Sequence, residues 1–183
     1  MCWQPTAIRR FEGSVPSSSC VLRVVTDQGK GYLKALGNPQ GPGILAREWV
    51  GTSLARRFGL STFEFAIVQV TAQDDLPFAS GGHARPGPAF ITRAEPGAPW
   101  GGKDLELRRL INPEDLARLV VFDTWIRNRD RHPPPGSPWQ PARRNVFLPM
   151  NLPRTADLQV GTVESHVTAP EPAGKPAVQV HGH

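Results

Sequence analysis

Cys20-Val21-Leu22-Arg23-Val24-Val25, then Asp27-Gln28-Gly29-Lys30-Gly31, then Tyr32-Leu33-Lys34-Ala35-Leu36: two β-prone runs flank a short stretch of turn-forming residues. This punctuation predicts a β-hairpin. Downstream, a Gly/Pro turn at 37–43 opens a segment, 44–58, in which Leu45, Trp49 and the pair Leu54/Phe58 recur at helical spacing, with Gly59 as a left-handed stop. Residues 63–70 and 88–93 read as further strands, separated by a loop rich in Gly and Pro. The first ninety residues are therefore expected to form an antiparallel sheet with one packed helix. That makes the fold class α+β.

The second half is less regular. Residues 97–102 read as a linker, and Asn112-Pro113-Glu114-Asp115 as a helix start, with a cap, a proline at the first helical position and two acids in the first turn. Leu116, Leu119, Val120, Trp125 and Ile126 give that helix a broad apolar face. Asn128 is expected to end it before the loop Arg129-Asp130-Arg131-His132. A proline-rich insertion at 133–141 precedes a short strand, Asn145-Val146-Phe147-Leu148, and residues 159–183 show no sustained periodicity and read as a disordered tail. No internal repeat is present.

A chain of 183 residues and 20.0 kDa allows one domain or two small lobes sharing a cleft. Lys and Arg outnumber Asp and Glu by 21 to 16, for a net charge of +5 and a pI near 9.9. Such a surface attracts phosphates of any kind. With only Cys2 and Cys20 there is no disulfide framework, so a reducing cytoplasm is the expected compartment. No apolar run is long enough to predict a membrane span. His132, His166, His181 and His183 have no paired cysteines at ligand spacing, which argues against zinc.

Four elements can carry chemistry. Gly13-Ser14-Val15-Pro16-Ser17-Ser18-Ser19 is a small-residue loop before a strand, whose amides and hydroxyls suit phosphate oxygens. Lys34 lies within a strand and Glu48 on the next helix, where a carboxylate can fix an ammonium that neutralises phosphate. Asp130, on a loop at a helix end, can orient a substrate hydroxyl. Asn145, at the start of a strand, offers an amide oxygen to magnesium.

In this order the elements resemble the protein-kinase-like arrangement, and in detail the HipA-like kinases. The resemblance rests on Gly29-Lys30-Gly31-Tyr32-Leu33-Lys34, on Arg47-Glu48 with Leu54-Ala55-Arg56-Arg57-Phe58-Gly59-Leu60, on the run from Phe122-Asp123-Thr124-Trp125 through Asn128-Arg129-Asp130-Arg131-His132, and on Asn145-Val146-Phe147-Leu148. It implies an N-lobe over 1–93, a partial C-lobe over 94–158 and a tail over 159–183. It further implies Lys34 as the phosphate-binding lysine with Glu48 as its partner, Asp130 as the catalytic aspartate, and Asn145 with Asp157 as magnesium ligands. Gly13, Ser14, Ser17 and Ser18 would cover the phosphates of ATP. Residues 88–92, with Phe90 and Ile91, would approximate an interlobe hinge whose backbone meets adenine. The implied partners are a protein with a Ser/Thr acceptor and an antitoxin-like protein.

The chain departs from the family pattern in two places. The asparagine normally five positions after the aspartate stands fifteen after it, although a bulged surface loop of that length costs only about 1 kcal/mol in closure entropy. Around Asp157 the residues Thr155-Ala156 and Leu158-Gln159 do not reproduce the usual metal-binding context, and the C-lobe helices have no counterpart in the remaining 26 residues. Two alternatives therefore stay open. One is an inactive remnant that binds nucleotide or a partner, and the other a basic nucleic-acid-binding module using Arg127, Arg129, Arg131, Arg143 and Arg144.

Overall fold

A computed structural model describes residues 3–15, 20–99, 114–127, 146–149 and 159–160. Strands β1 (Ile8–Ser14), β2 (Leu22–Thr26), β3 (Gly29–Leu36), β4 (Phe65–Val70) and β5 (Arg85–Arg93) form an antiparallel sheet in the order β1-β2-β3-β5-β4. Helix α1 (Ile44–Arg57) crosses from β3 to β4. A second sheet joins β6 (Gly97–Pro99), β7 (Val146–Pro149) and β8 (Gln159–Val160) in that order, and α2 (Glu114–Trp125) lies between β6 and β7 in sequence. An α+β fold with a kinase-like N-lobe and a partial C-lobe is thus what the chain forms. Among the described residues no helix is long and apolar enough to cross a membrane.

The β2–β3 hairpin closes as the turn residues require. Thr26 pairs with Gly29, whose φ of +110° suits glycine, and the Thr26 hydroxyl donates to the Gly29 carbonyl at 2.7 Å while accepting from the Gln28 amide at 3.1 Å. Asp27 at its tip takes hydrogen bonds from the Thr6 hydroxyl (2.7 Å) and the Thr6 and Ala7 amides, and Trp3 Nε1 donates to the Gln28 carbonyl at 3.1 Å. The hairpin turn thereby anchors the segment that leads into β1.

β1 is a strand that the sequence concealed, because Ile8 and Phe11 lie three apart rather than two. Register shifts on either side of Arg10-Phe11 resolve this. The first puts Ile8 opposite Thr26 and Phe11 opposite Val24, so both face the same core. That core holds Leu22, Val24, Leu33, Ala35, Ala66, Val68, Val70, Ala89 and Ile91 from one face of the sheet. Trp3 and, from the β4–β5 connector, Leu76, Phe78 and Ala84 cover it.

α1 lies on the opposite face, and its termination matches expectation: Gly59 has φ +79°, its amide bonds to the Arg56 carbonyl and the Leu60 amide to the Ala55 carbonyl. Its buried side does not follow the apolar spacing. Ile44, Glu48, Thr52 and Ala55 face inward, while Trp49 is 43% exposed and meets Phe65 edge-on at 5.3 Å. The C-terminal half of α1 and the turn after it pack on α2 through Ala55, Leu60, Leu119 and Phe122, with Phe58, just past the helix, 5.7 Å from Phe122.

Three further expectations need correction. Residues 97–99 are not linker but strand β6, an edge position where proline is tolerated. Gln159 and Val160 pair with β7 instead of joining a tail, and the rest of that tail lies outside the described residues. α2 ends at Trp125 rather than Asn128, with Arg127 at φ +53°.

Two outcomes check this packing. A Cβ at Gly31 would meet Ile91 Cδ1 at 2.8 Å and the Thr92 carbonyl oxygen at 2.9 Å, so Gly31→Ala should cost about 1–3 kcal/mol in urea unfolding. Gly51→Ala, with open space inside α1, should gain about 0.5–1 kcal/mol. The second outcome concerns acid. The Thr6 hydroxyl, above the Thr6 and Ala7 amides, holds the Asp27 carboxyl below its ordinary 3.8. A lowered folded value gives stability that is complete above 3.8 and fades as pH falls through the folded value. Thr6→Val should therefore flatten the decline of melting temperature below pH 3.8; an unchanged slope would refute the link.

Candidate functional site

Alternation along β3 decides where charge can go. Leu33 and Ala35 enter the main core, so Lys34 points to the other face, beneath α1. The hairpin register, Leu22 opposite Leu33, sets Val21 beside Lys34, and β5 places Phe90 on its other side. Lys34 is 1% exposed and Glu48 7%. An isolated ammonium in such surroundings would carry a desolvation cost of several kcal/mol, and it persists because it is paired: Lys34 Nζ donates to Glu48 Oε1 at 2.5 Å. Thr52, one turn beyond Glu48, is buried on the same side of α1.

Thr92 follows Phe90 by two positions and so shares the Lys34 face. Its Oγ1 is buried and has no hydrogen-bond partner among the described residues. Sequence reasoning assigned it no role, although its alternation with Phe90 was readable. It likewise gave none to Val21, Thr52 or Asp123, a carboxylate 2% exposed on α2.

The remaining sequence-derived residues divide. Gly13, the last residue but one of β1, has φ +141° and lies opposite Arg23. Ser14 lies in the row Leu22–Leu33–Ile91, on the core face and therefore away from Lys34, and its hydroxyl donates to the Pro77 carbonyl. Its one proton is committed there, which corrects the expectation that Ser14 donates to a phosphate. Phe90 and Ile91 are not a connector: β5 is paired to β3 on one side and β4 on the other, so their amides and carbonyls belong to the sheet. Phe90 supplies a side-chain wall instead, 5.8 Å from Phe65, and Ile91 is core. The chain leaves the sheet only after Arg93, so residues 88–92, expected to approximate a hinge, are strand. Ser17, Ser18, Asp130, Asn145 and Asp157 lie outside the described residues.

What the structure brings together is one continuous packed path. Leu119 and Phe122 of α2 rest on Ala55 of α1, and α1 carries Glu48 to Lys34. Asp130 follows α2 closely in sequence, three positions after Arg127. The described part of the site can hold one buried cation at a fixed point on a sheet, with a carboxylate behind it and an unsatisfied hydroxyl on the same face. This donor and charge set fits a polyphosphate. Among the described residues no cluster of metal-ligating side chains occurs.

No curated protein and no solved structure matches the chain. Residues 24–147, which run from β2 into β7 and include Lys34, Glu48, Asp130 and Asn145, match the family described as HipA-like kinase. With about two thirds of its length inside that match, the chain belongs to the HipA-like kinase family.

Proposed function

We propose that the protein is a phosphotransferase that uses ATP and magnesium to phosphorylate a Ser or Thr hydroxyl of a protein substrate. The observation that carries this reading is the buried Lys34–Glu48 pair on the inner face of β3, within a chain of the HipA-like kinase family. In the transfer, the acceptor oxygen forms a bond to the γ-phosphorus as the bond to the β,γ-bridging oxygen breaks, and ADP leaves. Asp130 orients the acceptor hydroxyl and takes its proton. Lys34 balances charge on the phosphate oxygens, and Glu48 keeps its ammonium in place. Asn145 and Asp157 would hold magnesium; an amide oxygen and a carboxylate are the hard donors that ion prefers, and the ion would supply further charge neutralisation. An antitoxin-like regulatory partner and a cytoplasmic setting belong to the same proposal.

One observation favours a second reading, an inactive protein that binds nucleotide or a partner: at 1% exposure, Lys34 is shielded from solvent and already paired. Turnover separates the two. Asp130→Asn should lower ATP-dependent phosphorylation about 10²–10⁴-fold. Equal rates in wild type and variant would exclude the phosphotransferase, and nucleotide binding without turnover would establish the inactive reading. Lys34→Met alone should cost about 3–5 kcal/mol by stranding Glu48, whereas Lys34→Met with Glu48→Leu should recover most of that stability without recovering nucleotide binding. A single variant as stable as wild type would show that the pair does not hold α1.

A further inference from the structure

Both ends of the β1–β2 connection are fastened to the same element, the connector between β4 and β5. At the first end the Ser14 hydroxyl donates to the Pro77 carbonyl, and at the second Cys20 Sγ lies 3.2 Å from Ser80 Oγ. The Val15 amide closes the base by donating to the Val21 carbonyl at 2.7 Å. The connector is a firm support. Leu76, Phe78 and Ala84 anchor it in the core, the Ala84 amide bonds to the Leu76 carbonyl and the Phe78 amide to the Gly82 carbonyl, and Pro77 bridges His83.

The second fastening holds a strained residue. Cys20 sits at φ +48°, a left-handed conformation that a side chain with a Cβ adopts only when its surroundings impose it. Its neighbour Val21 is fully buried beside Lys34. Cys20 thus faces the connector while Val21 packs on the Lys34 side of the sheet.

We propose that Ser14 and Ser80 are positioning residues: through the β4–β5 connector they fix the base of the β1–β2 connection, and with it Val21, against the Lys34 side of a nucleotide site. This inference rests on the phosphotransferase reading for the identity of the ligand and on the described geometry for the anchoring.

The test uses the full chain carrying Cys2→Ser, so that Cys20 is the single thiol. Alkylation of Cys20 is timed without nucleotide, and the dissociation constant for ATP with magnesium is titrated separately. Ser14→Ala and Ser80→Ala should each speed alkylation and weaken ATP binding by about threefold to tenfold, the change expected from one lost hydrogen bond. Ser14→Thr, which keeps the hydroxyl, should restore both. Asp75→Asn, which removes only the exposed Asp75–His83 pair on the same connector, should change neither. If wild type binds ATP and both alanine variants bind it equally well, the positioning role is overturned. If wild type binds no ATP, the proposed function falls and the nucleotide-positioning role falls with it, and the alkylation rates still decide whether the anchoring exists.

Discussion

Everything on the inner face of the large sheet follows from one ion pair, Lys34 with Glu48. A lysine on a strand whose neighbours Leu33 and Ala35 are core has only one direction left, and α1 closes that direction to water. The carboxylate must therefore come from α1, which fixes the helix's rotation: Glu48 goes in and Trp49 stays near the surface. Buried pairs of this kind add little stability compared with apolar residues of similar volume; what this one contributes is the choice of which side of α1 faces the sheet.

The two faces of the sheet have separate tasks. One gathers aliphatic side chains beneath Trp3 and the β4–β5 connector and supplies most of the burial. The other carries Lys34, Phe90 and Thr92 under α1. Ser14 shows how sharply the division applies. It ends β1 beside a connection that the sequence led one to expect near a phosphate, yet its row in the sheet assigns it to the core face, where its hydroxyl bonds to the Pro77 carbonyl. Through Ala55 and Phe122 the charged face is also joined mechanically to α2.

Much of this was legible in the sequence because the signals were local. Asp27-Gln28-Gly29 marks a hairpin through backbone preference alone, Gly59 stops α1 by the same kind of preference, and Lys34 with Glu48 could be named from strand-then-helix order. What escaped depended on partners far along the chain. β1 hides behind its register shifts, β6 is a strand only because β7 pairs with it, and the inward side of α1 is chosen by a lysine ten or more residues upstream. The start of β5 has a similar origin: Pro86 and Gly87 read as part of the loop before a strand at 88–93, but the β3–β5 register shift between Lys34 and Leu36 lets β5 absorb them.

The strand order has a consequence for how the chain is made. β5 is the last of the five large-sheet strands to leave the ribosome, yet it occupies an interior place between β3 and β4. Until it inserts, β3 and β4 have no common partner, and Trp3 and Ile8 have only part of the surface they finally cover. Closure of this lobe is therefore a late, non-local event in synthesis, with aliphatic strand edges exposed beforehand, a period in which assistance from chaperones has the most to protect.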